Sequence, residues 1–293
     1  MTYILHDYDK ALSQIMDNGW DQQERTGNNC RTFFGIMTRF DISSRAPVLT
    51  YRKINWKSYV KEALWYISGS DKISDLQAAK CNVWTPWIND EFTQQNGFED
   101  TSIGYGYGPN LIHYGAEISK LHPVKNGFNQ LDYVINTLRT NPCSRQAMFV
   151  LWRPDKIKQV LLPACHFAYH FLVSPNENGE MKKLSCQLFQ RSADYPIGVG
   201  AGNLFIATLF THMIAQQVDM QPHMLIHSTS HSHIYHNSFD ATNEYIQRTK
   251  TLPTLPSPRL LINKRSSIYD YTIDDFDLVD YKAYDKIVFP IAV

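Results

Sequence analysis

Residues 204–217, LFIATLFTHMIAQQ, are apolar on nearly every side. A helix of that kind is stable in water only when other elements surround it, so it has to occupy the middle of a domain. The preceding segments can provide the surroundings. CHFAYHFLV (165–173) and KLSCQLFQR (183–191) read as strands joined by a turn around Pro175–Gly179, and AMFVLW (147–152) reads as a buried strand. Apolar residues recur at helical spacing over 7–19 (Tyr8, Leu12, Ile15, Met16), over Trp56–Ile67 and over 129–139. RTFFGIMTRFD (31–41) reads as a strand with Gly35 as a bulge. Residues 85–110 and IGVGAGN (197–203) read as loop and turn, a helix follows the histidines of 231–236, and the tail from 268 reads as short strands. The result is an α/β chain with helices and strands interleaved. Without repeat, low-complexity stretch or linker, residues 1–293 read as one domain, long enough to bury a substantial core.

Charge narrows the classes of partner. Lys and Arg total 28 and so do Asp and Glu, so the net charge is zero and no global field draws the protein onto DNA or anionic lipid. An anionic ligand must be held by a few placed cations. No apolar run comes near the roughly 18–20 residues of a membrane span, and the first residues lack a signal-peptide core, so a cytoplasmic location is expected, in the host cell if the source is a virus. The five cysteines are scattered and none forms a Cys-x-x-Cys pair, which argues against a disulfide scaffold or structural zinc and leaves room for one reactive thiolate.

Several short segments carry candidate chemistry. In PACH (163–166), Cys165 follows a proline turn at the start of a strand, where neighbouring cations would make it a nucleophile; a buried structural cysteine is the plain alternative. In QRSAD (190–194), Arg191 with Ser192 can grip a phosphate, or Arg191 can pair with Asp194. Gly198, Gly200 and Gly202 lack the spacing and the preceding unit of a dinucleotide fingerprint. Asn203, at the start of the apolar helix, either caps it or offers a donor and an acceptor to a ligand. His231, His233 and His236, with His223 and His227 nearby, have no Cys, Asp or Glu at ligand spacing, so they read as neutral imidazoles lining a polar pocket and no metal is expected. Trp84 and Trp87 flank Pro86 and either pack in the core or form a flat wall for a planar heterocycle.

Taken in order, these segments resemble the thymidylate synthase family from Arg25 to Val293. ERTGNN (24–29) resembles its phosphate loop, Glu62 in KEALWYISG its active-site glutamate, NVWTPW its folate wall, Tyr107-Gly108 its cavity Tyr-Gly, and NPCSR (141–145) the segment that reaches across the dimer. PACH, QRSAD, HSHIYHN (231–237) and the terminal FPIAV resemble the family's Pro-Cys-His, Gln-Arg-Ser-x-Asp, Asp-x-His-x-Tyr-x-Asn and closing tail. The resemblance implies an α/β (α+β) fold around a large mixed sheet covered by helices, with sheets packed back to back in a homodimer. It implies 5,10-methylenetetrahydrofolate as cosubstrate and Cys165 as the nucleophile at C6 of a uracil nucleotide. Arg25, Arg191, Ser192 and a partner's Arg145 would hold the phosphate. Gln190 and Asn203 would meet the base, and His233 and Tyr235 the sugar. Glu62 and Tyr107 would manage protons, and Trp84, Trp87, Asp194 and Val293 would meet the folate.

Three departures bear on the product. Counted from Arg191, Asn203 falls one residue later than the family's asparagine, although it is in register with the helix; Gln146 replaces a second arginine; and Thr229-Ser230-His231 replaces Gly-Gly-Asp. Deoxycytidylate hydroxymethylase, a viral relative, also lacks that aspartate. An Asn at 203 favours dUMP over dCMP. The altered segments tilt the expected product slightly toward 5-hydroxymethyl-dUMP, with dTMP as the alternative. A catalytically silent nucleotide- or RNA-binding homologue is a remote third reading.

Overall fold

The computed structural model describes residues 3–23, 27–118 and 127–291. Six strands form one sheet in the order β1-β2-β6-β5-β4-β3, where β1 is Trp20–Gln23, β2 Asn29–Asp41, β3 Met148–Val150, β4 His166–Pro175, β5 Met181–Asp194 and β6 Gln221–Tyr235. Every neighbouring pair is antiparallel except β5 and β6. Parallel neighbours need a long crossover. Here it is the apolar segment: π-helical turns over Tyr195–Asn203 run straight into α7 (Leu204–Gln217). The expected turn at 197–203 is therefore helix. The continuous helix Tyr195–Gln217 spans 23 residues and is apolar enough by length and composition to cross a membrane, contrary to the sequence reading; 78% of its most apolar window is buried within the protein.

The helix is surrounded as its composition requires. Phe210 meets Phe149 and Tyr169 edge-on at 5.8 and 5.6 Å, and those two rings stack at 4.6 Å. α1 (His6–Asn18) turns Tyr8, Ala11, Leu12 and Ile15 inward, and Tyr8 lies flat on Tyr195 at 5.5 Å. α2 (Trp56–Ser68) ends at Gly69 with φ +73°, a left-handed cap that glycine adopts without strain. Residues 85–110 are more ordered than the loop expected of them. Asn89 caps α4 (Asp90–Asn96) by accepting from the Phe92 N–H, Gly97 closes it at φ +66°, and α5 (Tyr107–Ile112) follows. Their shortness hides the helical period. α3 (Ile73–Ala78), α6 (Gln130–Thr140) and α8 (Phe239–Thr251) are the remaining α-helices among the described residues, and β7 (Arg259–Ile262) pairs with β8 (Phe276–Val279). The tail from 268 contains two short 3₁₀ turns and the single strand β8, not a series of strands.

At Gly35 the backbone takes φ +80°, but the β2–β6 register is the same on both sides, so the glycine interrupts the pairing without inserting a residue. Alternation along β2 sends Ile36, Thr38 and Phe40 to the core and leaves Met37 on the other face. That face also exposes Leu172 and Met148, so it is apolar and uncovered by helices.

Candidate active site

The site residues collect where the parallel pair ends. Ser192 lies opposite His231 and Asp194 opposite His233 across β5 and β6, and the crossover leaves β5 at this point and returns Asn203 to it. Ligands of sheets with parallel strands bind at such carboxyl ends, because the backbone leaves the sheet there and opens a crevice. A bulge between His166 and Ala168 places the start of β4, and with it Cys165, beside the end of β5.

Cys165 is held from two sides. Its N–H donates to the Tyr107 hydroxyl at 2.9 Å, and the guanidinium of Arg191 donates to the carbonyls of Ala164 (Nε, 3.0 Å) and Pro163 (Nη2, 2.6 Å). The same Nη2 lies 4.0 Å from Sγ, and the guanidinium stacks on Trp152 at 4.8 Å. Burial pushes the thiol up, and Arg191 pulls it back. Burial thus favours the neutral thiol, and Arg191 is the group that favours the thiolate. Arg191 forms no ion pair with Asp194 among the described residues: Asp194 accepts from the Ile197 N–H at 3.2 Å, and burial raises its carboxyl to about 6.

Glu62 faces inward from α2. Tyr66, one turn on, donates its hydroxyl to Oε1 at 2.6 Å, and Trp84 donates its indole N–H to the same oxygen at 2.7 Å. Burial pushes the carboxyl above its ordinary value against these two donors. A carboxyl raised by burial and held by two donors is suited to exchange a proton with a bound molecule. Tyr107 stacks between Tyr66 (4.7 Å) and His166 (4.5 Å), which joins the glutamate to the cysteine through one aromatic column. Trp84 thus does more than form a wall; Trp87 lies 6.0 Å from it at 60°.

Asn203 has helical backbone angles and its side chain makes no capping bond, so the capping reading is set aside. Its Oδ1 accepts from Gln190 Nε2 at 3.1 Å. The three glycines before it are close-approach positions. A Cβ on Gly198 would meet Asn203 Oδ1 at 3.1 Å, one on Gly200 the Tyr8 Cζ at 2.7 Å, and one on Gly202 the Tyr59 ring at 2.5 Å. Wide π turns are how a helix absorbs an extra residue without shifting its later turns. That explains why Asn203 counts late from Arg191 yet sits in register with α7.

His231 enters a polar chain. The Gln22 carboxamide nitrogen lies 2.6 Å from His231 Nε2, and Nδ1 of His231 lies 3.2 Å from Nδ1 of His233, whose ring meets Tyr235 edge-on at 5.1 Å. His236 turns to Asp21 at 3.2 Å, so the three histidines do not converge, and no group of three His, Cys, Asp or Glu suited to a metal ion occurs among the described residues. Arg145 and Gln146 are exposed in the connection before β3. Arg25 and Val293 lie outside the described residues. Tyr66 and His227 belong to the site without having been given a role by sequence. Tyr66 was legible as the i+4 neighbour of Glu62; His227 was read only as one of a group of neutral histidines lining a polar pocket, and its partner Gln190 was not foreseen.

Comparison with known proteins is decisive here. The sequence profile described as thymidylate synthase matches residues 6–293. The chain belongs to the thymidylate synthase family. It is 34% identical to the bifunctional dihydrofolate reductase-thymidylate synthase of Zea mays over 302 residues, covering 100% of this chain and 56% of that relative. It is 32% identical to the thymidylate synthase of Mycoplasma pneumoniae (95% of this chain, 96% of the relative) and 33% identical to that of Herpesvirus ateles (98% of each). The chain thus spans about half the length of the bifunctional plant relatives and nearly all of the other two. The mixed six-stranded sheet covered by helices is consistent with the fold of the thymidylate synthase family.

Proposed function

We propose that the protein is a thymidylate synthase, which converts dUMP to dTMP. The observation that carries this reading is the placement of Cys165 beside Arg191, with Asn203 held by Gln190 and Glu62 linked through Tyr66 and Tyr107 to the same crevice. Cys165 thiolate adds to C6 of the uracil, which makes C5 nucleophilic, and it leaves from C6 when the product forms. Asn203 accepts from N3–H and donates to O4. Glu62, pushed up by burial, exchanges protons with the base through water. Arg191, Ser192 and Arg25 hold the phosphate, and His233 with Tyr235 holds the sugar.

Methylenetetrahydrofolate, when bound, supplies both the one-carbon unit and the hydride that completes the methyl group. The residues present fit its heterocycle: the indoles of Trp84 and Trp87, inclined at 60° to each other, offer apolar ring faces, and Asp194 offers carboxylate oxygens to ring N–H groups. The resemblance of the FPIAV tail to the family's closing tail assigns Val293 to the same folate site.

The methyl product displaces the hydroxymethyl product favoured from sequence. The relatives that cover this chain are named thymidylate synthase. Two of the three departures behind the other expectation have local structural explanations: the π turns take up the extra residue, and His231 joins the chain from Gln22 to His233, while nothing in the structure explains Gln146. Hydroxymethylation requires water to add to the exocyclic methylene on C5, and the aromatic column beside the cysteine works against free access of water there. The apolar face exposing Met37, Leu172 and Met148 supports back-to-back pairing with a second copy, whose Arg145 would complete the phosphate site.

The test is a product assay with dUMP and methylenetetrahydrofolate, read by nucleotide mass and folate absorbance. A methyl gain with dihydrofolate is expected, and Cys165→Ser abolishes it. A hydroxymethyl gain with tetrahydrofolate released would overturn the reading.

A further inference from the structure

We infer that His227 is a positioning residue for base selection: through Gln190 it fixes which end of the Asn203 carboxamide faces the nucleotide. This rests on the reading of the site as one for a uracil nucleotide.

Gln190 and His227 are 2% and 1% exposed, so neither can exchange its partner for bulk water. Gln190 Nε2 donates to the Ser192 carbonyl at 3.0 Å. A backbone carbonyl only accepts, so this bond fixes the Gln190 amide: nitrogen toward Ser192, oxygen toward His227. His227 Nε2 lies 2.8 Å from that oxygen and must carry the proton. His227 Nδ1 is buried with no hydrogen-bond partner among the described residues, which agrees. A bare lone pair left alone costs less than a stranded N–H. The second hydrogen on Gln190 Nε2 then points at Asn203 and requires Oδ1 there.

The consequence reaches the base. With Oδ1 engaged from behind, Asn203 presents oxygen to N3 and nitrogen to the 4-position. Uracil, with N3–H and a 4-carbonyl, matches both. Cytosine, with a bare N3 and a 4-amino group, needs the carboxamide reversed. Reversal would set the Asn203 NH₂ against the Gln190 NH₂, donor against donor. Discrimination is thus held two residues behind the one that touches the base. Burial also keeps the relay neutral, since His227 is pushed down to about 3.

The test uses the full chain. Affinities for dUMP and dCMP are measured by calorimetry for wild type, His227→Phe and His227→Asn. Phenylalanine removes the donor and strands the Gln190 oxygen; asparagine can still donate. The preference for dUMP should fall about tenfold in His227→Phe, the size expected for one stranded buried acceptor, and should largely return in His227→Asn. An unchanged preference in a folded His227→Phe protein overturns the relay. Should that variant not fold, ¹⁵N spectra of wild-type histidines decide: His227 protonated on Nε2 supports the relay, and on Nδ1 refutes it. Failure of wild type to prefer dUMP would instead overturn the proposed function, and the tautomer would still judge the relay.

Discussion

Gly200 stands so close to Tyr8 that a methyl group there has no space of its own. An added Cβ would lie 2.7 Å from Cζ and nearer still to the hydroxyl, with Leu49 Cδ1 at 3.1 Å on another side. Tyr8 cannot swing away cheaply. It is 1% exposed, stacked on Tyr195, edge-on to Tyr245 at 6.0 Å, and its hydroxyl donates to the Tyr195 carbonyl at 3.3 Å. Gly200→Ala therefore forces a shift in a packed core, worth about 1–3 kcal/mol, and breaks a buried hydrogen bond worth about 1 kcal/mol more. The expected loss is about 2–4 kcal/mol, which for a chain of this size lowers Tm by roughly 5–12 °C. Thermal unfolding followed by circular dichroism measures it. Tyr8→Phe removes the nearest clashing atom and should restore part of the loss in the double variant, giving a non-zero coupling. Gly198→Ala is the contrast: its Cβ would meet only Asn203 Oδ1 at 3.1 Å and Asp194 Cβ at 3.8 Å, so it should spare Tm and weaken dUMP binding. A Gly200→Ala protein that melts with wild type would refute the close-approach account of these glycines.

Other predictions come from the same geometry. Asp9 accepts from Tyr3 (2.6 Å) and Tyr245 (3.0 Å), and burial raises its carboxyl from 3.8 to about 6. The folded state thus binds the proton more tightly than the unfolded state, and this group's contribution falls as pH rises from about 4 to 6, by an order of 2–3 kcal/mol. Denaturation of Asp9→Asn across that range should show a flatter profile than wild type; parallel profiles would refute this. Trp84→Phe removes one of two donors that hold Glu62 down, so the acid limb of the pH–rate profile should move to higher pH. Phe210→Ala, deep among Phe149 and Tyr169, should cost about 3–5 kcal/mol in denaturant titration.

What could be read from residues alone was what obeys one rule at a time. The helix 204–217 declared itself because no surface tolerates it, and the hairpin of β4 and β5 because its apolar runs flank a turn. β6 was harder. Its residues 227–233, His-Ser-Thr-Ser-His-Ser-His, carry no apolar alternation, because that length of strand lines a polar crevice and the hydrogen bonds are to side chains. The glycines at 198–202 suggested a turn because close approach and turning ask for the same residue, and only the neighbours Tyr8 and Tyr59 distinguish the two. Cys165, Gln190, Arg191, Glu62 and Asn203 were legible as types in order; that His227 of β6 meets Gln190 of β5, and that Tyr107 of α5 holds the Cys165 N–H, appears only in three dimensions.

The π turns between β5 and α7 separate two measures of length. One runs along the chain from Arg191, and the other is set by how α7 beds against the sheet. Asn203 is placed by the second. A residue gained or lost in Ile197–Gly202 changes how loosely the backbone winds there and leaves α7 in its seat. This stretch is then a spacer whose length can change while Asn203 keeps its place. Insertions next to an active site are ordinarily among the least tolerated changes; here the helix itself supplies the slack.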